Sequence, residues 1–126
     1  MIFPPPTEIH FWGIFDAGVP DKERLVFQVK SSVNLAQYGV FAGLKNPNGM
    51  VTPLSDNFFW FGEMQVNPPT WIVVMTRPGL FEVTTHANTG EPLQIHYWGR
   101  KSTIFNGPDI APVLFQINSV LIGQRH

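Results

Sequence analysis

Glycine and proline divide this chain into short apolar runs, and this spacing limits the secondary structure that the chain can form. Of its 126 residues, 11 are glycine and 12 are proline, and most fall between the apolar stretches. No window carries a clear 3.6-residue apolar period, so the pattern does not favour helices. Short strands at roughly ten-residue spacing are typical of sandwiches and barrels. We therefore predict an all-β fold, an antiparallel β-sandwich of jelly-roll-like form.

The predicted strands follow from the same pattern. They cover residues 8–15, 24–32, 38–45, 50–52, 57–66, 70–76, 80–85, 93–98, 103–105 and 112–122. Asn48-Gly49 is a strong hairpin signal between two of them. The chain shows no linker or change of composition, so we expect residues 1–7 to form a proline-rich arm and residues 8–126 one domain.

A five-residue motif occurs twice. I-H-F-W-G at residues 9–13 returns as I-H-Y-W-G at residues 95–99, and F-W-F-G at residues 59–62 is a weaker echo. Either one supersecondary unit was duplicated, or separate strands converged on the same aromatic pattern. Because three such strands occur, a closed barrel with pseudo-threefold, trefoil-like repeats is the alternative fold.

Strand alternation predicts where the motif side chains point. Alternate residues of a strand lie on opposite faces of its sheet, and the aliphatic face belongs in the core. The polar and aromatic face is then exposed in both copies, as a candidate binding surface. Its residues are Glu8, His10, Trp12, Gln94, His96 and Trp98.

Four interpretations of these residues remain open. The surface could be an interface between protein copies, since tryptophan supplies a large contact area with a polar handle. It could be a sugar-binding shelf, where an aromatic face stacks on a pyranose and polar groups hold its hydroxyls. The histidines could bind a metal with nearby carboxylates. Finally, both tryptophans could be core residues of strands covered on both faces.

The apolar N-terminal arm is a second candidate for assembly. Its residues are Ile2, Phe3, Pro4, Pro5 and Pro6. Consecutive prolines keep such a segment extended and exclude it from a helix. The arm could pack on its own domain or on a neighbouring copy.

The low charge of the chain and the motifs that it lacks argue against several classes of function. Only 13% of residues are charged and the net charge is -1, so copies repel one another weakly. The eight basic residues form no stripe, which argues against nucleic acid. No phosphate-binding loop, serine elbow or zinc-site motif is present, and there is no cysteine.

These observations favour a non-catalytic module that forms a homo-oligomer, as a structural component of a virion or other particle. A carbohydrate-binding module is the alternative, and a metal-dependent enzyme comes third. We expect no cofactor and no membrane insertion. Without a signal peptide or a long apolar run, the default expectation is a cytoplasmic or particle-associated protein.

Overall fold

The computed structural model describes residues 4–125, which form ten strands and one 3₁₀ turn. The strands are β1 Ile9–Phe15, β2 Arg24–Val29, β3 Val33–Asn34, β4 Tyr38–Lys45, β5 Val51–Trp60, β6 Gln65–Val66, β7 Trp71–Met75, β8 Glu82–Thr85, β9 Pro92–Tyr97 and β10 Ile110–Gln116. The 3₁₀ turn, Leu35–Gln37, begins at Asn34, whose side-chain oxygen accepts a hydrogen bond from the backbone N–H of Ala36. Within residues 4–125 no helix is long and apolar enough to span a membrane.

The strands form three sheets. The largest has the order β1-β2-β7-β9-β8, the second β10-β4-β5, and the smallest pairs β3 with β6. Every neighbouring pair is antiparallel except β7 and β9, which run parallel. The five-stranded sheet is therefore mixed, which the sequence does not predict.

One core fills the space between the two larger sheets. Each core strand sends alternate residues inward. The most deeply buried of them, at most 1% exposed, are Leu25, Phe27, Ile72 and Val74 from one sheet and Tyr38, Val40 and Ala42 from the other. Each large apolar side chain buried in this way stabilises the fold by about 1.5–3 kcal/mol. Val33 and Val66, paired in the small sheet, extend the same core.

The all-β sandwich prediction is confirmed, and the trefoil-like barrel is wrong. The sheets are open and face each other, and the three aromatic segments hold no equivalent positions. Residues 9–13 and 95–97 lie in β1 and β9 of the large sheet, whereas Trp60 ends β5 of the other sheet. A threefold barrel would place all three in one closed sheet.

Three strand predictions fail. The strands predicted at residues 50–52 and 57–66 are one strand, β5 Val51–Trp60, and residues 61–64 lie outside it. Residues 103–105 form no strand, because the backbone N–H groups of Ile104 and Phe105 donate to the carboxylate of Glu23 instead of to a neighbouring strand. β10 ends at Gln116, six residues before the predicted end at residue 122. Its neighbour among the described residues, β4, begins at Tyr38, the partner of Gln116. Beyond that pair the ladder continues through one hydrogen bond, from the Ile117 N–H to the carbonyl oxygen of Gln37.

The hairpin between β4 and β5 forms where Asn48-Gly49 predicts it. The backbone N–H of Asn46 donates to the carbonyl oxygen of Met50 at 2.8 Å, and that of Gly49 donates to the carbonyl oxygen of Asn46 at 3.0 Å. Gly49 takes the left-handed conformation that such turns require.

Candidate functional site

The solvent side of the five-stranded sheet is apolar at its centre. Strand pairing aligns Val26, Val73 and Ile95 in one cross-strand row, and Trp71 beside Leu93 in the next outward row. We call the set formed by these residues with Trp12, Met75 and Tyr97 the outer apolar face. All eight side chains are partly or largely exposed, and no other sheet of the described residues packs over them.

Strand β7 shows most clearly that this face is unusual. Its sequence, W-I-V-V-M, is apolar on both sides of the strand. Ile72 and Val74 are fully buried against the second sheet, whereas Trp71, Val73 and Met75 point the other way and are only partly buried. Continuous apolar strands are typical of sheets covered on both faces, while a one-sided sheet alternates apolar and polar residues. The outward half of this strand's apolar pattern therefore has no second layer over it within the described chain.

A row of aromatic rings borders the outer apolar face. His10 packs edge-on to Trp12 with ring centres 5.0 Å apart, Trp12 lies 5.7 Å from Trp71, and Trp71 lies 5.0 Å from His86. The indole N–H of Trp71 donates to Oε1 of Glu91 at 3.1 Å. We call His10, Trp12, Trp71 and His86 the aromatic row.

A β-bulge aims Trp12 into this row. The β1–β2 register runs from Phe11 opposite Phe27 to Gly13 opposite Val26, which leaves Trp12 as the extra residue. Gly13 has a φ of 145°, which side-chain-bearing residues rarely adopt. The bulge turns Trp12 outward, where it is 52% exposed.

Trp71 lies between two other rings of the row. It makes tilted contacts with both, at 39° to Trp12 and at 35° to His86. A sugar shelf needs an open indole face, and these neighbouring rings restrict access to Trp71. The exposed ring of the row is that of Trp12.

Of the predicted site residues, His10 and Trp12 are exposed members of the row. Glu8 lies at the start of the same segment, but its carboxylate accepts a hydrogen bond from the hydroxyl of Tyr38 at 3.0 Å. Hydrogen bonds from its own backbone N–H and from Tyr38 hold the pKa of Glu8 below its usual value. Burial, helped by Glu8, raises the pKa of Tyr38 to about 12. Glu8 thus ties the start of β1 to the core.

The prediction for the second copy is wrong. Gln94, His96 and Trp98 lie on the inner side of the five-stranded sheet, because β9 pairs with β7 so that His96 stands beside the fully buried Val74. Leu93, Ile95 and Tyr97, expected in the core, lie on the outer apolar face. Alternation itself holds, but the assignment of faces is reversed, since both faces of this sheet are apolar.

His96 is part of the core. It is 6% exposed, and its ring packs against Phe59, Phe61 and Phe81. Its Nε2 lies 3.2 Å from Oε1 of Gln94. Burial lowers the pKa of His96 to about 4, so its ring is neutral at neutral pH.

Trp98 belongs to the same inner cluster. Its ring lies 5.8 Å from Phe59 and 6.4 Å from Phe105, and it packs against the buried core. The two motif copies also do not meet, since β2 and β7 stand between β1 and β9. The convergence of two histidines and two tryptophans on one surface does not occur.

Trp71, His86 and Glu91 are not among the predicted site residues. The signal for Trp71 is present in the sequence, because an apolar run of five residues in a sheet strand indicates cover on both faces. His86 and Glu91 flank the loop between β8 and β9, which folds back through a hydrogen bond from the His86 N–H to the Glu91 carbonyl at 2.7 Å. No sequence pattern links that loop to Trp71.

The proline-rich arm and the predicted metal site are the two remaining candidates. In the proline-rich arm, Pro4 and Pro5 are exposed and Pro6 is half-buried, while Ile2 and Phe3 lie outside the described residues. Among residues 4–125, no three histidine or acidic side chains are grouped so that they could hold a metal ion.

Comparisons with protein-family models, with curated proteins and with solved structures found no match.

Proposed function

We propose that the protein is a non-catalytic assembly module that associates with copies of itself through the outer apolar face. In this role it serves as a structural component of a virion or other particle. The observation that carries the proposal is the central strand β7, apolar on both sides but covered on one. A second copy would complete the burial that its sequence pattern requires.

The composition of the face also suits a protein partner. The centre of the face, around Val73, is apolar. Two charged side chains share its cross-strand rows: Glu82, exposed opposite Ile95 on the edge strand β8, and Arg24, which stands opposite Met75 and pairs with Asp16. A partner that covers the centre can leave both charges at the rim in contact with water. Interface cores are enriched in aromatic residues and methionine and depleted in charge. Because the face is built from one sheet, two copies can meet across a twofold axis with the same residues on each side.

The test is the mass of the protein in solution, measured by light scattering after size exclusion across a dilution series. Val73→Lys places a charge at the centre of the face, and we expect it to shift the mass towards the monomer. Val73→Thr keeps the branched shape and adds only a hydroxyl, so its effect should be smaller. A comparable melting temperature for both variants shows that the fold is kept.

Val83→Lys is the matched control, since Val83 is 66% exposed on the edge strand β8 and outside the outer apolar face. We expect it to leave the mass unchanged. A wild-type protein that stays monomeric at all concentrations would refute the proposal, and so would a Val73→Lys variant that assembles as the wild type does.

A further inference from the structure

A second uncovered apolar surface lies on the opposite side of the sandwich. On the outward side of β10-β4-β5, the ring of Phe115 lies 5.6 Å from Phe41 and 5.4 Å from Phe58. Phe58 is 54% exposed and Trp60 is 44% exposed. We call Phe41, Phe58, Trp60, Val113 and Phe115 the phenylalanine face.

Two glycines of β4 let this face lie flat. A Cβ on Gly39 would stand 2.8 Å from the ring of Phe115, and one on Gly43 would clash with a methyl group of Val51. Side chains cannot approach that closely. The ring of Phe115 therefore rests on the backbone of β4 at Gly39, and Val51 rests on it at Gly43.

The same chain exposes an apolar segment that fits such a surface. After β10, the backbone N–H of Ile117 donates to the carbonyl of Gln37 at 2.6 Å, and the chain then leaves the sandwich. Val120, Leu121 and Ile122 are 57%, 95% and 84% exposed. Side chains of this kind are normally buried in a folded protein.

The composition of the segment is not that of a solvated tail. No charged residue occurs between Ile110 and Gln124, whereas tails that remain in water are rich in charge and poor in branched apolar residues. The nine residues 117–125 span up to about 30 Å when extended, which is enough to reach a neighbouring molecule. Residues 117–124 and the phenylalanine face carry no charge that would oppose contact.

We propose that residues 120–122 of one copy dock on the phenylalanine face of a second copy. The segment follows directly from an edge strand of the sheet that carries the face, so reciprocal exchange between two copies would bury both segments and both faces. This contact is additional to the interface proposed above and lies on the other side of the sandwich, so the two contacts can be tested separately.

Cysteine cross-linking tests the contact directly, because the natural chain has no cysteine. Leu121→Cys and Phe58→Cys are made in separate chains carrying tags of different size, mixed, and oxidised with copper phenanthroline. We expect a disulfide-linked heterodimer in several-fold higher yield than from Leu80→Cys mixed with Phe58→Cys. Leu80 is the matched control, since it is 88% exposed in a loop away from the face. Equal yields from the two mixtures would overturn the proposal.

The double variant Leu121→Cys/Phe58→Cys shows whether the segment contacts a neighbouring copy or the face of its own chain. A disulfide that links two chains supports exchange. A disulfide formed within the monomer at high dilution would show that the segment folds back on its own face, and the proposal would then be wrong.

Mass measurements separate this contact from the one on the outer apolar face. We expect Leu121→Asp and Val73→Lys each to reduce the wild-type assembly, and the combined variant to be monomeric. If Val73→Lys reduces the mass and Leu121→Asp does not, the segment contact fails while the proposed function stands. The reverse result would refute the interface on the outer apolar face and keep the segment contact.

Discussion

The two copies of the motif have almost the same sequence and opposite environments. In the early copy, His10 and Trp12 lie in solvent at the border of the outer apolar face. In the late copy, His96 and Trp98 face the core between the sheets. The difference comes from their partners: a bulge turns Trp12 outward, while parallel pairing with β7 sets His96 beside Val74. Side chains of one type thus lie in solvent in one strand and face the core in another.

The largest effect should come from removing the inner indole. Trp98→Ala leaves a cavity beside Phe59 and Phe105, so we expect the free energy of unfolding to fall by about 3–5 kcal/mol. Urea unfolding followed by circular dichroism measures it. Trp98→Phe, which keeps a ring, is the control and should lose less. A Trp98→Ala variant as stable as the wild type would contradict a core role.

The second largest effect on stability should come from the buried carboxylate of Glu23, which joins the loops that follow the two motif copies. Glu23 is 1% exposed and accepts hydrogen bonds from the backbone N–H groups of Gly18 at 2.7 Å, Ile104 at 2.7 Å and Phe105 at 3.0 Å. Glu23→Ala leaves these donors without a partner, and we expect a loss of about 3 kcal/mol.

Glu23→Gln is its control, since the amide oxygen can still accept from part of this set and should lose less. Both are measured by thermal unfolding. If the alanine variant melts as the wild type does, Glu23 does not join the loops.

The pH dependence of stability should reflect the burial of His96. The pKa of His96 in the folded protein is about 4, below its ordinary value of about 6.5. As the pH falls below that ordinary value, the unfolded chain takes up the proton first. Stability is therefore complete at neutral pH and declines until the pH reaches the folded pKa, with about 2 kcal/mol lost at pH 5.

His96→Phe removes this titration. Between pH 7 and pH 5 the wild type should therefore lose about 2 kcal/mol more unfolding free energy than the variant does. The matched control for the change of side chain is Trp98→Phe, which alters the same inner cluster without removing a titratable group and should therefore keep the wild-type pH dependence. Parallel profiles for wild type and His96→Phe would show that the ring is not buried.

The smallest effect on stability should come from the outer indole. Trp12→Ala loses its stacking on Trp71, and we expect a change of about 1 kcal/mol in the unfolding free energy of the dilute protein. Its effect on assembly should be larger, seen as a shift towards the monomer in sedimentation velocity. A loss of stability as large as that of Trp98→Ala would remove the contrast between the two copies.

The sequence predicts much of the fold because the strand signals are local. The hairpin at Asn48-Gly49, the strands β1, β4 and β7, and the alternation within β9 all follow from neighbouring residues. Which side of β9 faces the core does not follow from neighbouring residues, because both of its sides carry apolar residues. The pairing of β9 with β7 determines which side is buried. The end of β10 depends in the same way on where β4 begins, at Tyr38.

The candidate site was predictable in part for the same reason. His10 and Trp12 follow from alternation along β1. Their contact with Trp71 depends on the bulge at Gly13 and on the pairing of β2 with β7, which brings together residues about sixty positions apart.

Fluorine NMR of the protein labelled with 5-fluorotryptophan tests the account most directly, because its four tryptophans give four signals that single Trp→Phe variants assign. Across a dilution series we predict that the signals of Trp12 and Trp71 shift with concentration, while that of Trp98 stays constant. A concentration-dependent Trp98 signal beside constant Trp12 and Trp71 signals would contradict the assignment of one motif to the surface and the other to the core.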